Sequence, residues 1–453
     1  MSLKTQSLSQ QFALASVTLP RDLGDGLVLR TTTPDDTESL AQFNGHVFGR
    51  DHIEEMAVLY TRDMMRESHP IIGPSNVLIV EDTRVKKIVS STILIPQTWT
   101  YAGISFGVGR PEMVATDPEY RRRGLIRAQF EVLHAMSEAM GHVLQGITGI
   151  PWYYRQFGYE FALDLGGGRV VAVPSIPPLK QGESELYRLR NMTIADIPFA
   201  SAMYDRECAR SLVAYPRNES LWRYVLEPQT EAMAWRAPYQ IIETQDGHIA
   251  GYLAPNREIE REAYSILELV VREGQSLRAI MPSVLRWAQT QAQIEATKQK
   301  KTVNSVYLNM GREHPSYDAI PDMLSTPRIP YGWYIRITDV PRFIRIIAPA
   351  LEERLAHSPI AGYSGELKIS EYRRGYKCVF ENGKLANVEE WQPMPGTEGD
   401  CGFPPLVFLQ LLLGRKSLTE LRDAFPDVWA NGDATVLLNA LFPKAYSCVY
   451  SVS

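Results

Sequence analysis

The sequence predicts a mixed α/β protein in which two successive modules of one architecture precede a smaller α+β module. Three observations lead there. The chain has 453 residues, more than one core organises and enough for about three domains at ~150 residues each. Short segments recur in the same order in two stretches of the chain. Beyond about residue 340 the apolar pattern changes. The composition is globular, 45% hydrophobic and 22% charged, which excludes a largely disordered chain. Lys and Arg number 47 against 52 Asp and Glu, a net charge of −5. A dedicated nucleic-acid binder carries a basic excess instead.

The polar N-terminus lacks the apolar stretch of a secretion signal, and residues 1–26 are expected as a tail. Leu29-Arg30 ends a short strand, from which polar residues lead to Asp36 at a helix start. Leu189-Arg190 and Asp196 repeat that arrangement. Residues 77–82 find a counterpart in 240–247, and each continues through a turn into a second apolar strand, 87–95 and 248–253. Residues 112–116 are matched by 267–271, each ahead of a helical pattern. The two modules are expected at 27–172 and 180–335, joined by the Pro-rich stretch 173–179.

The third module is expected at 340–453. It opens with a helix around 343–356, followed by strands at 367–370 and 376–380 and a hairpin turn at Asn382-Gly383. Buried helices follow over 405–413 and 418–425. Residues 445–453 alternate apolar and small polar side chains, as a strand does. Cys208, Cys378, Cys401 and Cys448 are scattered with no metal spacing, which predicts buried free thiols in a reduced, cytoplasmic protein. The longest apolar block, 406–413, is interrupted by Gln410 and falls short of the ~18 residues of a membrane span. His46, His52, His69 and His134 show no metal-binding spacing, so surface or structural roles are expected for them.

Chemistry concentrates in residues 113–127. Asp117-Pro118 ends a strand, because proline donates no ladder bond and keeps its predecessor extended. The basic turn Arg121-Arg122-Arg123-Gly124 follows. Ile126, Phe130, Leu133, Met136 and Met140 then recur on one helical face. Strand, basic glycine turn and helix form a recipe for holding a phosphate. The first helical N–H groups lack internal partners and the dipole is positive there, while glycine lets the backbone approach closely. A solvated basic turn beside an ordinary helix is the alternative.

This stretch resembles the acyl-CoA-binding motif of the GNAT acetyltransferases, Arg/Gln-x-x-Gly-x-Gly/Ala after a strand. Arg121 and Gly124 hold its first and fourth positions, and Ile126 stands where the family has a small residue. Tyr154-Arg155-Gln156-Phe157-Gly158-Tyr159 resembles the superfamily's Tyr-x-x-x-Gly-aromatic signature. Together the motifs are similar to the enhanced-intracellular-survival (Eis) branch, which has a catalytic GNAT domain, a degenerate second one and a C-terminal domain resembling sterol carrier protein.

The resemblance implies an acetyl-CoA-dependent N-acetyltransferase acting on the primary amine of a small molecule or a lysine side chain. The residue spacing predicts no metal, the charge balance no nucleic-acid partner, and a homo-oligomer is expected. Val114, Ala115 and Thr116 would offer backbone groups to pantetheine. Arg122, Arg123, Gly124, Leu125, Ile126 and Arg127 would cradle the pyrophosphate, and Gly149 and Ile150 would add a further contact. Tyr154 would protonate the leaving thiolate. The terminal carboxylate of Ser453 would help to remove the amine's proton, with Glu54, Glu55 or Glu112 as the alternatives. Residues 271–276 of the second repeat carry Glu273 and no arginine cluster, so no CoA is expected there. A lipid-binding or structural protein on a vestigial acetyltransferase fold is the competing function.

Overall fold

The computed structural model describes residues 18–49, 51–227, 237–447 and 449–450, whose strands form three sheets of a mixed α/β fold. The first sheet contains β1 (Arg21–Gly24), β2 (Leu27–Thr31), β3 (Val77–Asp82), β4 (Lys87–Tyr101), β5 (Ile104–Thr116), β6 (Leu144–Ile147) and β7 (Glu160–Leu165). Neighbours from β1 to β5 run antiparallel, whereas β5 and β6 are parallel. Residues 21–24, expected within the tail, instead form the edge strand. Leu19 and Leu23 anchor it on the core, a pair too short to show as a pattern.

Helices α1 (Thr37–Gly49) and α2 (Glu55–Met64) cover one face of this sheet, and α3 (Leu125–Ala139) covers the other. Val77 and Ile79 face the first pair while Leu78 and Val80 face α3. Burial on both faces is why β3 reads as an unbroken apolar run.

The second sheet holds β8 (Gly168–Ala172) and β9 (Tyr187–Asn191); β10 (Val213–Ala214) instead pairs with β4. It continues with β11 (Gln240–Thr244), β12 (Ile249–Glu260), β13 (Ala263–Val271), β14 (Ser305–Leu308) and β15 (Leu324–Arg328). Its helices are α4 (Ile197–Arg210), α5 (Glu219–Leu226), α6 (Leu277–Gln299) and α7 (Pro315–Ala319).

The repeat in the sequence has a physical cause. Arg30 donates to both carboxylate oxygens of Asp36 at 2.8 Å and to Glu81 at 2.9 Å. Arg190 does the same to Asp196 at 2.7 and 2.8 Å and to Glu243 at 2.7 Å. Asp36 and Asp196 accept in turn from the backbone N–H of Thr33 and Thr193. In both halves one arginine therefore ties the first strand to the next and to the helix start.

Pairing crosses the expected module edges. β8, assigned by sequence to the first module, pairs with β14 and β15 of the second sheet. Conversely β16 (Tyr331–Ile337) returns to the first sheet, inserted antiparallel between β6 and β7. The order of elements along the chain repeats, but the partner of each terminal strand is set by which sheet edge stands open.

The last part begins with α8 (Val340–Ala356) and a sheet of β17 (Gly365–Ser370), β18 (Gly375–Glu381), β19 (Lys384–Trp391), β20 (Cys401–Gly402) and β21 (Trp429–Ala430). Asn382 and Gly383, at φ 51° and 79°, make the β18–β19 turn. Helices α9 (Phe408–Leu412), α10 (Leu418–Ala424) and α11 (Gly432–Leu441) complete it. The helix expected over 405–413 is shorter because Leu406 sits at φ 73°, outside the helical region. Phe343 of α8 packs edge-on against Tyr101 and Phe106, joining this part to the first sheet.

The strand expected from residue 445 onward is not seen among the described residues. That segment crosses the molecule singly: Leu212 donates to the Tyr446 carbonyl at 2.8 Å, and the Trp333 indole to that of Val449 at 3.0 Å. Cys378 and Cys401 are buried thiols and Cys208 is half-buried; Cys448 lies outside the described residues. Among the described residues no helix is long and apolar enough to cross a membrane, and no group of three His, Cys, Asp or Glu could hold a metal ion.

Candidate active site

The site begins where two parallel strands part. β5 and β6 pair only at Val108–Leu144 and Gly109–Gln145. Beyond them β5 continues to Thr116 while β6 ends at Ile147. A β-bulge assists the separation: Ser91 faces Ala115 and Ile93 faces Glu112, so β5 carries one extra residue. Met113 absorbs it at φ 50°, bending the strand as bulges do. Val114, Ala115 and Thr116 follow and line a groove of about 920 Å³.

The groove's other wall is the basic turn and the start of α3. Asp117 accepts from the Glu119 N–H at 3.0 Å and from Lys87 at 2.6 Å, which fixes the exit from β5. Arg122 and Gly124, at φ 63° and 77°, reverse the chain, and a Cβ added at Gly124 would meet nothing within 4 Å. α3 has no side-chain cap and no acid in its first turn. Its first internal bond is Ala128 N–H to Gly124 at 3.0 Å, so the N–H groups of Leu125, Ile126 and Arg127 have no partner within the helix.

Arg122, Gly124, Leu125, Ile126, Arg127 and Ile150 all line the groove. Arg123 does not: its guanidinium stacks 4.9 Å from the Tyr120 ring. Gly149 also stands behind the lining. A Cβ there would lie 3.4 Å from the Tyr154 ring, so this glycine, at φ 130°, makes room for that side chain.

Tyr154 lies on the groove wall, in the turn after β6. Its ring is buried and stacks on Phe130 of α3, 6.0 Å between centroids and 20° from parallel. Its hydroxyl makes no hydrogen bond to any described residue. Burial, then the charge of Glu112 and the neighbouring Tyr153 and Tyr331, raises its pKa above the ordinary value near 10. The phenol therefore keeps its proton at neutral pH. Behind it the hydroxyl of buried Tyr159 meets His134 Nε2 at 2.9 Å; burial, then Arg336, pushes that imidazole down to about 3, so it is neutral.

The carboxylates fall into different places. Glu54 caps α2, accepting from Met56 N–H at 3.4 Å, and Glu55 is exposed; neither lines the groove. Glu112 is ion-paired with Arg110 and does not line the groove either, although its charge contributes to the raised pKa of Tyr154. Ser453 lies outside the described residues.

In the second sheet the corresponding residues, Leu267 to Val270, line a much smaller cavity of about 70 Å³ together with His314. His314 Nε2 lies 3.1 Å from the carbonyl of Leu269, the counterpart of Val114. Ser276 caps α6 by accepting from Ala279 N–H at 3.3 Å, and Glu273 pairs with Arg206 at 3.5 Å.

Sequence reasoning missed His46, Val47, Phe48 and Asp51, which close the groove from α1 and its following turn. It also missed Tyr334 of β16, whose hydroxyl accepts from Trp152 N–H at 3.0 Å and whose ring lies 6.3 Å from Tyr154. No local signal marks them: α1 reads as an ordinary amphipathic helix, and Tyr334 is distant in sequence.

Comparison with known proteins agrees with this geometry. Residues 28–162 match the family model described as acetyltransferase (GNAT) domain. No curated protein matches the chain. Among solved structures, a GCN5-related N-acetyltransferase from Anabaena variabilis is similar at 16% identity and TM-score 0.63, covering 93% of this chain and 99% of that one. A probable N-acyltransferase from Enterococcus faecalis gives 13% and 0.61, covering 93% and 97%. Eis1 from Mycobacterium abscessus gives 14% and 0.55, covering 92% and 98%. At such identities these three share a fold. The segment that builds the groove, residues 28–162, thus carries a GNAT acetyltransferase domain.

Proposed function

We propose that the protein is an acetyl-CoA-dependent N-acetyltransferase of the Eis-like kind, acting on a primary amine of a small molecule or of a lysine side chain. The observation that carries this reading is one groove uniting a split parallel strand pair, an uncapped helix start behind Gly124 and a protonated tyrosine. Val114 to Thr116 offer backbone to the pantetheine arm. The free N–H groups of residues 125–127 and the Arg122 and Arg127 side chains take the pyrophosphate. Gly124 leaves the space a diphosphate needs.

In the transfer, the amine nitrogen bonds to the acyl carbon, the carbon–sulfur bond breaks, and the sulfur's electron pair takes the proton of Tyr154. The amine's own proton passes to a carboxylate. Two are proposed: that of Ser453, on the family resemblance, and Glu112, whose charge acts on Tyr154. The second sheet is read as a degenerate GNAT-like domain, since His314 and the Ser276 cap occupy what the first leaves open, and residues 340–453 as a sterol-carrier-like module. Calorimetric titration with acetyl-CoA, followed by thiol-release assays over a panel of amines, tests the reading. Absence of acetyl-CoA binding refutes it.

A further inference from the structure

The second sheet parts as the first does, and the parting leaves a cavity of its own. β13 and β14 pair in parallel from Ala263–Ser305 to Ile266–Leu308, and β13 runs on beyond that pairing to Val271. Leu267 to Val270 of this stretch form one wall of the cavity. Glu207 and Cys208 of α4, with Ser211 just after it, form a second. Counted from Asp36 and Asp196, these three stand where Val47, Phe48 and Asp51 line the groove of the first sheet. Tyr446 and Tyr450, from the segment that crosses the molecule, add a third wall. The phosphate end has no counterpart, because Ser276 caps α6 and Glu273 stands in the turn before it.

The polar side chains of this lining are already engaged inside the protein. The Tyr204 hydroxyl donates to the Tyr215 carbonyl at 2.8 Å, that of Tyr446 to Met310 at 3.1 Å, and that of Tyr450 to Asn309. His314 donates through Nε2 to Leu269 and accepts at Nδ1 from the Ser316 N–H at 3.2 Å. Arg217 holds Glu268 at 3.0 Å, and Arg210 holds Glu207 at 2.9 Å. Burial above all pushes the Cys208 thiol up to about 12, so it is uncharged at neutral pH. A charged ligand would give up its hydration here and find both carboxylates taken. What the lining offers instead is the tyrosine rings and the apolar side chains of Leu267, Val270 and Met310, the surface that binds by the hydrophobic effect. The volume of about 70 Å³, at ~10–15 Å³ for each water-sized group, admits roughly five to seven such groups, the size of one six-membered ring.

We propose that this cavity binds one small, uncharged aromatic molecule of a single ring. Its walls belong to three parts of the chain: the second sheet, Ala214 and Tyr215 at β10, which pairs with β4 of the first sheet, and the segment after α11. A molecule seated there touches all three, so it favours the assembled chain over the unfolded one by mass action. No bond is made or broken. The site is separate from the proposed acyl transfer and does not rest on it.

The test uses the full chain and three probes of one ring size: benzene, benzoate and benzylammonium, titrated at pH 7 by calorimetry and by thermal denaturation. Benzene should bind saturably at this site and raise Tm, while the two ions should bind about 10-fold more weakly or worse, for want of a free counter-charge. Cys208→Phe, which fills the cavity, should weaken benzene binding by about 10-fold or more. Xenon-pressurised crystals of the unaltered chain locate the site even where Cys208→Phe fails to fold, and should place xenon between Cys208 and Val270. No saturable benzene binding, equal affinity for benzene and either ion, benzene binding unchanged in folded Cys208→Phe, or xenon only elsewhere would each overturn the proposal.

Discussion

Replacing Tyr154 by phenylalanine separates its chemical part from its structural one. The ring's burial and its 6.0 Å stack on Phe130 are kept. The hydroxyl that is removed hydrogen-bonds no described residue, so nothing is left unpaired, and the change in stability should stay within about 0.5 kcal/mol. In a chain of this size that moves Tm by no more than a few degrees. Acetyl-CoA affinity should be unaltered, since phosphate and pantetheine contacts come from other residues. Turnover should fall by about 10²–10⁴-fold, the usual worth of a general acid. The pH profile adds a second check. Burial and Glu112 hold the phenol's pKa above its ordinary value, so the proton-donating form is present on the acidic side and persists past pH ~10; no loss of wild-type rate from this group should appear below that. Steady-state thiol release, calorimetry and thermal denaturation measure the three quantities. A folded Tyr154→Phe variant with near wild-type turnover would refute the assignment.

Gly124→Glu keeps the space but not the conformation: φ 77° costs a non-glycine residue roughly 1–2 kcal/mol. It also sets a carboxylate where phosphate is proposed to sit, so acetyl-CoA affinity should drop by about 100-fold or more; calorimetry showing unchanged affinity in folded protein contradicts this. His69, His142 and His314 are each pushed down to about 4, chiefly by burial, so they are neutral in the fold while the unfolded chain protonates near ~6.5. Stability should therefore fall as pH drops from about 6.5 to 4, by up to about 1.4 kcal/mol per pH unit for each; urea titrations showing equal stability at pH 7 and pH 5 would contradict it. Arg217, almost wholly buried beside Glu268 and 4.1 Å from the Tyr204 ring centroid, should cost about 3–5 kcal/mol when changed to Met, because Glu268 is left charged and buried. Adding Glu268→Gln should recover part of that loss in denaturant titrations.

What the sequence disclosed depended on whether the chemistry was local. The paired Leu-Arg and Asp of the two repeats are visible because one arginine binds one aspartate six residues on. The helix after Gly124 is visible because Ile126, Phe130, Leu133 and Met136 mark one face, and in the structure it ends one residue before the expected Met140. The extra residue at Met113 left no mark, since methionine carries no preference for positive φ. Arg110 and Glu112 look like ordinary strand alternation, and nothing local marks the ion pair they form. Tyr334 reaches Tyr154 from a strand whose sequence resembles any other apolar strand. The shortened helix after Pro405 reflects Leu406 in a left-handed conformation, which no hydrophobic pattern encodes.

The insertion of β16 between β6 and β7 also bears on how the nascent chain folds. β7 ends at Leu165 and its neighbour begins at Tyr331. Some 166 residues, the difference of those two numbers, must be translated before the first sheet gains that strand. At about 5–20 residues per second this is a wait on the order of 10–30 s on the ribosome. During it β6 and β7 present unpaired edges, and Tyr154 lacks the Tyr334 wall behind it. Cutting the gene after residue 172 would leave that condition permanent. The first sheet is thus finished only when the second has been made, and a shortened chain is exposed to edge-to-edge aggregation in place of being a smaller version of the same fold.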